Sequence, residues 1–300
     1  MKKILALGDI IWDIYDTGAH IGGAALNFCA HAAKCGAKPY MLSRVGFDPL
    51  GDEAIYKMRR LGIDTELTRR ADFPTGQCIV KLDEKGIPTF NVLRNVAYDK
   101  IELSDYDVER VKDVAPDALY FGTLIQRDRV SRNALIRLLS ECRFREIICD
   151  VNLRRDCYDE ESVRLCLENA TILKVSDEEE PLLQSLGGYE KGNTPRDIAE
   201  RITAKYKNVK YLLLTLGEKG CFVYSAKDGA CYSKTPPKVT VESTVGAGDS
   251  FTAAFSVYLM NGAPVTEAVD VATRLSAFVV SRPAAVPDYT MTRDQIIPEE

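Results

Sequence analysis

The chain holds 300 residues, 46% hydrophobic and 28% charged, with a formal net charge of −5. Such a composition suits a globular protein built as one large domain with a substantial core. The acidic balance argues against nucleic acid as the main partner, because a phosphate backbone asks for a basic face, and no apolar run reaches the roughly 18 residues of a membrane-spanning helix.

Nine cysteines (Cys29, Cys35, Cys78, Cys142, Cys149, Cys157, Cys166, Cys221 and Cys231) lie at scattered spacings without a C-x-x-C pair. An odd, irregular set reads as reduced thiols in a cytoplasmic protein, not as a disulfide frame or a zinc site. With only His20 and His31 present, a histidine-based triad or histidine-rich metal site is not expected. His31, inside an alanine-rich helix, reads as structural.

In chain order, residues 4–7 form a first buried strand; the apolar stretch before Gly8-Asp9 is too short for a secretion signal. Residues 10–15 are apolar around Asp13. A carboxylate in such a run is costly to bury alone, so Asp13 either faces a substrate or points to solvent from an edge strand. Gly22-Gly23 opens a helix that runs to about Lys34 and stops at Gly36. Two glycines there let a ligand approach the backbone, and Asn27, one turn in, offers a donor and an acceptor. Residues 40–45 are the next strand, and a helix follows the Gly46–Gly51 turn.

Between Pro74 and Val96 the period changes to alternation around Asp83-Glu84-Lys85-Gly86, a hairpin signature. It interrupts a βα rhythm and reads as a small antiparallel lid. From residue 118 the rhythm is regular: strands at 118–122, 146–150, 170–175 and 211–215 alternate with helices at about 129–142, 160–169, 177–186 and 195–206. A hairpin at 221–232 and two helices, from about 249 and about 265, complete the core, and the proline-rich tail after Arg282 reads as irregular. Buried strands alternating with helices indicate an α/β fold, a doubly wound, mostly parallel sheet.

Ligands of such folds bind beyond the carboxyl ends of the strands. Polar residues gather there after four strands, as Thr123–Arg127, Asp150–Arg155, Lys174–Glu179 and Thr215–Gly220. At a fifth place stands Thr244-Val245-Gly246-Ala247-Gly248-Asp249-Ser250-Phe251. Glycines before a helix leave amides bare at its positive end, which makes an anion site. Asp249 in the same turn is either an ordinary helix-start residue or the base of a phosphoryl transfer, a reaction that joins a proton acceptor to an anion hole. No G-x-x-x-x-G-K-[ST] occurs, and Phe251 stands where a dinucleotide fingerprint has its third glycine.

These stretches resemble the PfkB, or ribokinase-like, carbohydrate kinases. Gly22-Gly23-Ala24-Ala25-Leu26-Asn27, with Gly36, Gly46 and Gly51, is similar to that family's N-terminal signature, and Thr244 to Phe251 to its C-terminal one. The segments Gly122–Arg127, Asp150–Arg154 and Ala97-Tyr98-Asp99 look most like fructokinase-type members. The resemblance implies one ribokinase-like domain over residues 1–300, with a lid from about 10–18 and 74–98. It implies an ATP- and Mg2+-dependent kinase acting on fructose or a related ketose. Alternative acceptors are ribose, a nucleoside or a 2-keto-3-deoxy sugar acid, and a non-catalytic binding homologue is a further alternative.

Asp249 would be the general base, and the amides of Gly246, Ala247 and Gly248 the anion hole. Asp13, Gly22, Gly23, Asn27, Gln126, Arg127 and Arg154 would face the sugar. Lys174, Ser176, Thr215, Gly217, Gly220 and Thr244 would line the nucleotide, and Glu179 would reach magnesium through water. The resemblance also suggests a homodimer through the lid. The chain departs from the family pattern at Ser243, where a cation-linked Asp is usual, at Ser176, where an Asn is usual, and at Arg282-Pro283-Ala284-Ala285. Potassium activation is therefore left open.

Overall fold

Strand β1 (Lys3–Leu7) leads into a hairpin of β2 (Ile11–Tyr15) and β3 (Gly18–Gly22), then helix α1 (Ala24–Lys34), β4 (Lys38–Gly46), α2 (Pro49–Arg60) and β5 (Thr68–Ala71). A second hairpin, β6 (Gly76–Leu82) and β7 (Pro88–Val92), precedes α3 (Asp105–Val114). Alternation follows: β8 (Ala118–Gly122), α4 (Arg129–Glu141), β9 (Glu146–Asp150), α5 (Glu160–Asn169), β10 (Ile172–Ser176), α6 (Glu180–Gly187), α7 (Pro195–Lys205) and β11 (Tyr211–Thr215). The chain ends with β12 (Cys221–Ser225), β13 (Cys231–Lys234), α8 (Ala247–Met260), α9 (Val265–Val280), β14 (Tyr289–Met291) and β15 (Ile296–Pro298). This computed structural model describes residues 1–82, 88–292 and 295–298. The expected turn Asp83-Glu84-Lys85-Gly86 and the closing Glu299-Glu300 lie outside the described residues.

The main sheet runs β13-β12-β11-β10-β9-β8-β1-β4-β5. Its strands from β5 to β11 are parallel, and β12 and β13 add an antiparallel edge. The side-chain period of two puts neighbouring residues on opposite faces. Leu5, Leu7, Leu119 and Phe121 pack under α3 to α7, while Ile4, Ala6 and Tyr120 pack against α1, α2, α8 and α9. Both faces are buried, which explains the nearly continuous apolar strands. Phe28 of α1 stacks on Tyr120 of β8, with centroids 3.9 Å apart and planes at 13°, and so seats α1 on the sheet. The chain leaves β1 toward β4 on one side and returns to β8 on the other, placing the topological switch between β1 and β8.

The lid is a separate four-stranded sheet, β3-β2-β6-β7. Both of its hairpins are antiparallel, and the central β2–β6 pair is parallel. β3 carries the first hairpin to Gly22, past the expected limit near residue 18. β3, β5 and α3 are elements that the sequence pattern does not announce. β5 reads Thr-Arg-Arg-Ala and is held by its backbone register on β4, and α3 is charge-rich with a narrow buried stripe at Val108, Val111 and Val114. The tail expected to be irregular forms the β14–β15 pair, whose three-residue strands are too short to display a period. Among the described residues no helix is long and apolar enough to cross a membrane, and all nine cysteines are free.

Candidate active site

Helix α8 begins without a side-chain cap. Its N-cap is Gly246, in the left-handed region at φ 84°, where a Cβ would lie 2.5 Å from the carbonyl oxygen of Ala285. Only glycine suits that conformation and that contact. The Ala247 amide bonds the carbonyl of Thr244 at 3.3 Å, and Gly248 and Asp249 supply first-turn amides that helix geometry leaves without an intrahelical acceptor. At Gly248 a Cβ would stand 3.2 Å from Lys174 Nζ and 3.7 Å from Asp150 Oδ2. The second glycine thus seats the turn on a buried ion pair.

Asp249 is buried, and its Oδ2 accepts from Asn27 Nδ2 at 2.9 Å. Burial and the neighbouring Asp150 push its carboxyl up to about 7, against the pull of Asn27, Lys174 and Arg154. A carboxylate poised there suits a general base. Beneath it, Lys174 lies 3.0 Å from Asp150 Oδ1 and 3.8 Å from Glu179 Oε2. Burial opposes the charge on Lys174, but Asp150 and Glu179 outweigh it and keep the ammonium protonated. Glu179 accepts the amides of Leu153 and Ser176, each at 2.8 Å, while Ser176 Oγ accepts from the Glu179 amide at 3.2 Å. Those mutual bonds explain why α6 starts at Glu180 and not near Asp177.

The other end of the cleft is built around the two glycines. Gly23 has φ 108°, and a Cβ there would lie 2.7 Å from both the carbonyl and the carboxylate of Asp9. Asp9 Oδ2 accepts the Ala24 amide at 2.9 Å, closing the head of α1. From Gly22, a Cβ would face Asp13 Oδ2 at 3.5 Å and Asn27 Oδ1 at 3.9 Å. Asn27 Oδ1 is buried without a hydrogen-bond partner. An orphan acceptor beside a carboxylate and bare backbone is a place for a ligand hydroxyl. Burial raises the Asp13 carboxyl and Arg154 lowers it. Arg154 is exposed, makes no ion pair among the described residues, and lowers the carboxyls of Asp9, Asp13, Asp150 and Asp249 together. Its charge therefore sits in the mouth of the cleft.

Gln126 and Arg127 are not brought to the cleft, which corrects the expectation that they face the sugar. Gln126 is fully buried, donating to the Gly122 carbonyl at 2.9 Å and to Cys166 Sγ at 3.4 Å. Arg127, with 1% of its side chain exposed, clasps Asp99 through Nε (2.8 Å) and a terminal nitrogen (3.0 Å), and also donates to the Leu93 carbonyl. The short 3-10 turn after β8 directs both inward. Thr215 lies beside Ser176 in register, Gly217 (φ 57°) and Gly220 (φ 96°) shape the following turn, and Thr244 is exposed at the head of α8.

From β1 to β11 the strand ends span four sheet spacings, roughly 19 Å, with Gly248 against Asp150 of β9 and Lys174 of β10 between them. Sequence reasoning left out Asp9 and the partnership of Asp150 with Lys174. A carboxylate at the carboxyl end of a buried strand was the available signal for each.

Residues 9–290 match the model of the pfkB family of carbohydrate kinases. A Pyrococcus horikoshii protein named as a sugar kinase is 30% identical over 250 residues, covering 80% of this chain and 74% of its own. A 5-dehydro-2-deoxygluconokinase of Geobacillus thermodenitrificans is 24% identical over 289 residues, 92% of this chain and 83% of that one. Among solved structures, an E. coli protein named as a ribokinase II, in complex with ATP and Mg2+, superposes with a TM-score of 0.77 at 22% identity over 95% of each chain. That likeness shows the ribokinase-like fold.

Proposed function

This chain belongs to the pfkB family of carbohydrate kinases, which transfer a phosphoryl group from ATP to a sugar hydroxyl, and we propose that its acceptor is a neutral ketose, D-fructose first, with Asp249 as general base. The observation that carries the chemistry is the pairing of a buried carboxyl raised to about 7 with the open head of α8. Asp249 takes the proton of the attacking hydroxyl, and the amides of Gly246, Gly248 and, on exchanging the Thr244 carbonyl for the phosphoryl oxygen, Ala247 hold the charge of the transferring group. A base of this kind is worth roughly 10²–10⁴-fold, and fixed donors at developing charge add to it.

Asn27 orients the base through its amide and offers its free Oδ1 to the acceptor, beside Asp13 and the backbone of Gly22 and Gly23. The nucleotide lies toward β10 and β11, along Ser176, Thr215, Gly217, Gly220 and Thr244, with Lys174 charged beneath the turn. Magnesium, when bound with the nucleotide, neutralises phosphate charge, and Glu179 would hold it through water. Each oxygen of Glu179 already takes one backbone amide, leaving lone pairs free for a water. Lid closure would exclude water from the transfer. The lid sheet, which carries half-buried Ile14, Ile21 and Ile79 on one face, is where a homodimer would form.

Carboxylates outnumber cations around the acceptor, which favours a neutral polyol over an anion. One observation favours a second reading: the unpaired Arg154 would hold the carboxylate of a keto sugar acid. ADP release over D-fructose, D-ribose, a nucleoside and a 2-keto-3-deoxy sugar acid separates the two. D-fructose should give the highest kcat/KM. A preference for the acid, with its KM raised about tenfold or more by Arg154→Ala, would establish the second reading instead, and sugar binding without ADP release would identify a non-catalytic homologue.

A further inference from the structure

Among the buried titratable side chains near the cleft to which phosphoryl transfer gives no part is His31. His31 follows Asn27 by one helical turn, so the two share a face of α1, and its ring is fully buried. Nδ1 lies 2.7 Å from Tyr289 Oη, and Nε2 lies 2.9 Å from the carbonyl oxygen of Ala285. A carbonyl only accepts, so Nε2 carries the hydrogen and Nδ1 accepts from the tyrosine hydroxyl. Burial pushes the imidazole down to about 4, which keeps it neutral in that tautomer.

Tyr289 is itself held. Lys34 Nζ donates to its carbonyl at 2.9 Å and lies 4.7 Å from its ring centroid, and Phe278 meets the ring edge-on at 5.5 Å. Ala285 is also the residue against which the anion turn rests: a Cβ on Gly246 would come within 2.5 Å of its carbonyl oxygen and 3.0 Å of its Cα. One carbonyl therefore touches both the imidazole and the left-handed glycine of the turn. The helix that carries the ring also carries Asn27, the hydrogen-bond donor to Asp249.

We propose that His31 is a positioning residue for phosphoryl transfer, its Nε2–H pinning the Ala285 carbonyl against Gly246 and so fixing the anion turn relative to the Asn27–Asp249 pair. The proposal rests on the reading of residues 246–249 as the phosphoryl site. An apolar side chain would fill the same volume but supply no donor, and the carbonyl would turn toward water. Small misplacements of a reacting geometry are costly to rate.

The test compares His31→Leu, His31→Gln and Tyr289→Phe in the full chain, with Mg·ATP and the panel acceptor of highest kcat/KM. His31→Leu should lower kcat about 10–10²-fold and leave the acceptor KM within about threefold. His31→Gln, whose amide nitrogen can take the place of Nε2, should recover most of kcat. Hydrogen exchange at residues 246–249 should quicken in His31→Leu and not in His31→Gln. A His31→Leu enzyme with unchanged kcat and exchange, or a His31→Gln enzyme as slow as His31→Leu, overturns the proposal. Should His31→Leu fail to fold, Tyr289→Phe decides: loss of the orienting hydroxyl should quicken exchange at 246–249, and unchanged exchange overturns it. Turnover that survives Asp249→Asn overturns the site reading beneath it, whereas loss in that variant beside an intact His31→Leu enzyme overturns the role of His31 alone.

Discussion

The heads of α6 and α8 meet the same cleft and are finished in opposite ways. At α6, the carboxylate of Glu179 folds back onto two backbone amides and faces Lys174. Burial pushes that carboxyl up, but Lys174 and the amides of Ser176 and Leu153 reverse the effect and hold it below its usual range. At α8, the cap is a glycine, and Asp249 has one neutral donor and the charge of Asp150 for a neighbour. Its carboxyl rises to about 7. A buried and a half-buried carboxylate in one cleft are thus driven apart, and such separation marks which group exchanges a proton and which stays charged. The closed head is a clamp; the open head is the one proposed to bind an anion.

Removing the base breaks the comparison most directly. Asp249→Asn should lower kcat by about 10²–10⁴-fold with the acceptor KM little changed, as read by ADP release. The wild-type kcat/KM should rise with pH and level off above about 7, the value to which this carboxyl is raised. Its stability contribution has the opposite sense. Between the ordinary 3.8 and about 7 the folded protein keeps a proton here that the unfolded chain has lost, so stability falls as pH rises through that window. Asp249→Asn should remove that slope in urea titrations. A retained rate, or a pH profile with no step near 7, would refute the base assignment.

Closing the open head is the next largest change. Gly246→Ala meets both a positive φ and the Ala285 carbonyl at 2.5 Å. It should cost about 10²-fold in kcat and about 1–3 kcal/mol in stability, measured by turnover and urea unfolding. An alanine variant with wild-type turnover would show that the turn does not need its left-handed glycine.

Opening the closed head has a smaller effect of another kind. Glu179→Gln should lower stability by about 1–3 kcal/mol, since Lys174 loses a charged neighbour and a buried acceptor set is weakened. The contribution of Glu179 is present above its ordinary 4.5 and is lost as pH falls through the depressed native value. The Gln variant should therefore lose part of the acid-side dependence of stability, and an unchanged acid limb would count against the clamp. The smallest effect concerns Ser243. Its hydroxyl accepts the Val245 amide at 3.2 Å, closing the turn before α8 without a carboxylate. Rates in sodium, potassium and a bulky organic cation should agree within about twofold; a strong potassium requirement would contradict this.

Much of this was legible along the chain because it depends on local backbone chemistry. Gly22-Gly23 before Asn27 and Gly246-Ala247-Gly248 before Asp249 mark helix heads open to ligands, and a helix head needs only consecutive residues to declare itself. Residues whose task depends on direction were not legible. Gln126 and Arg127 share a strand-end segment with Thr123, yet their side chains turn into the core toward Cys166 and Asp99. His31 reads as one more helical residue until β14 brings Tyr289 against it.

What the sequence alone determined is the alternation of buried strands and helices and the two glycine-bearing helix heads, because hydrophobic period and glycine's conformational range act over a few neighbouring residues. Only the tertiary structure decided the charges. Asp249 and Glu179 are the same kind of group, and nothing within a turn of either says that one rises and the other falls. The difference comes from Asp150, about a hundred residues before Asp249, and from Lys174, five residues before Glu179 but turned toward it only once β9 and β10 pair. Electrostatic shifts follow distance and burial in space, and those quantities exist only once the sheet has formed.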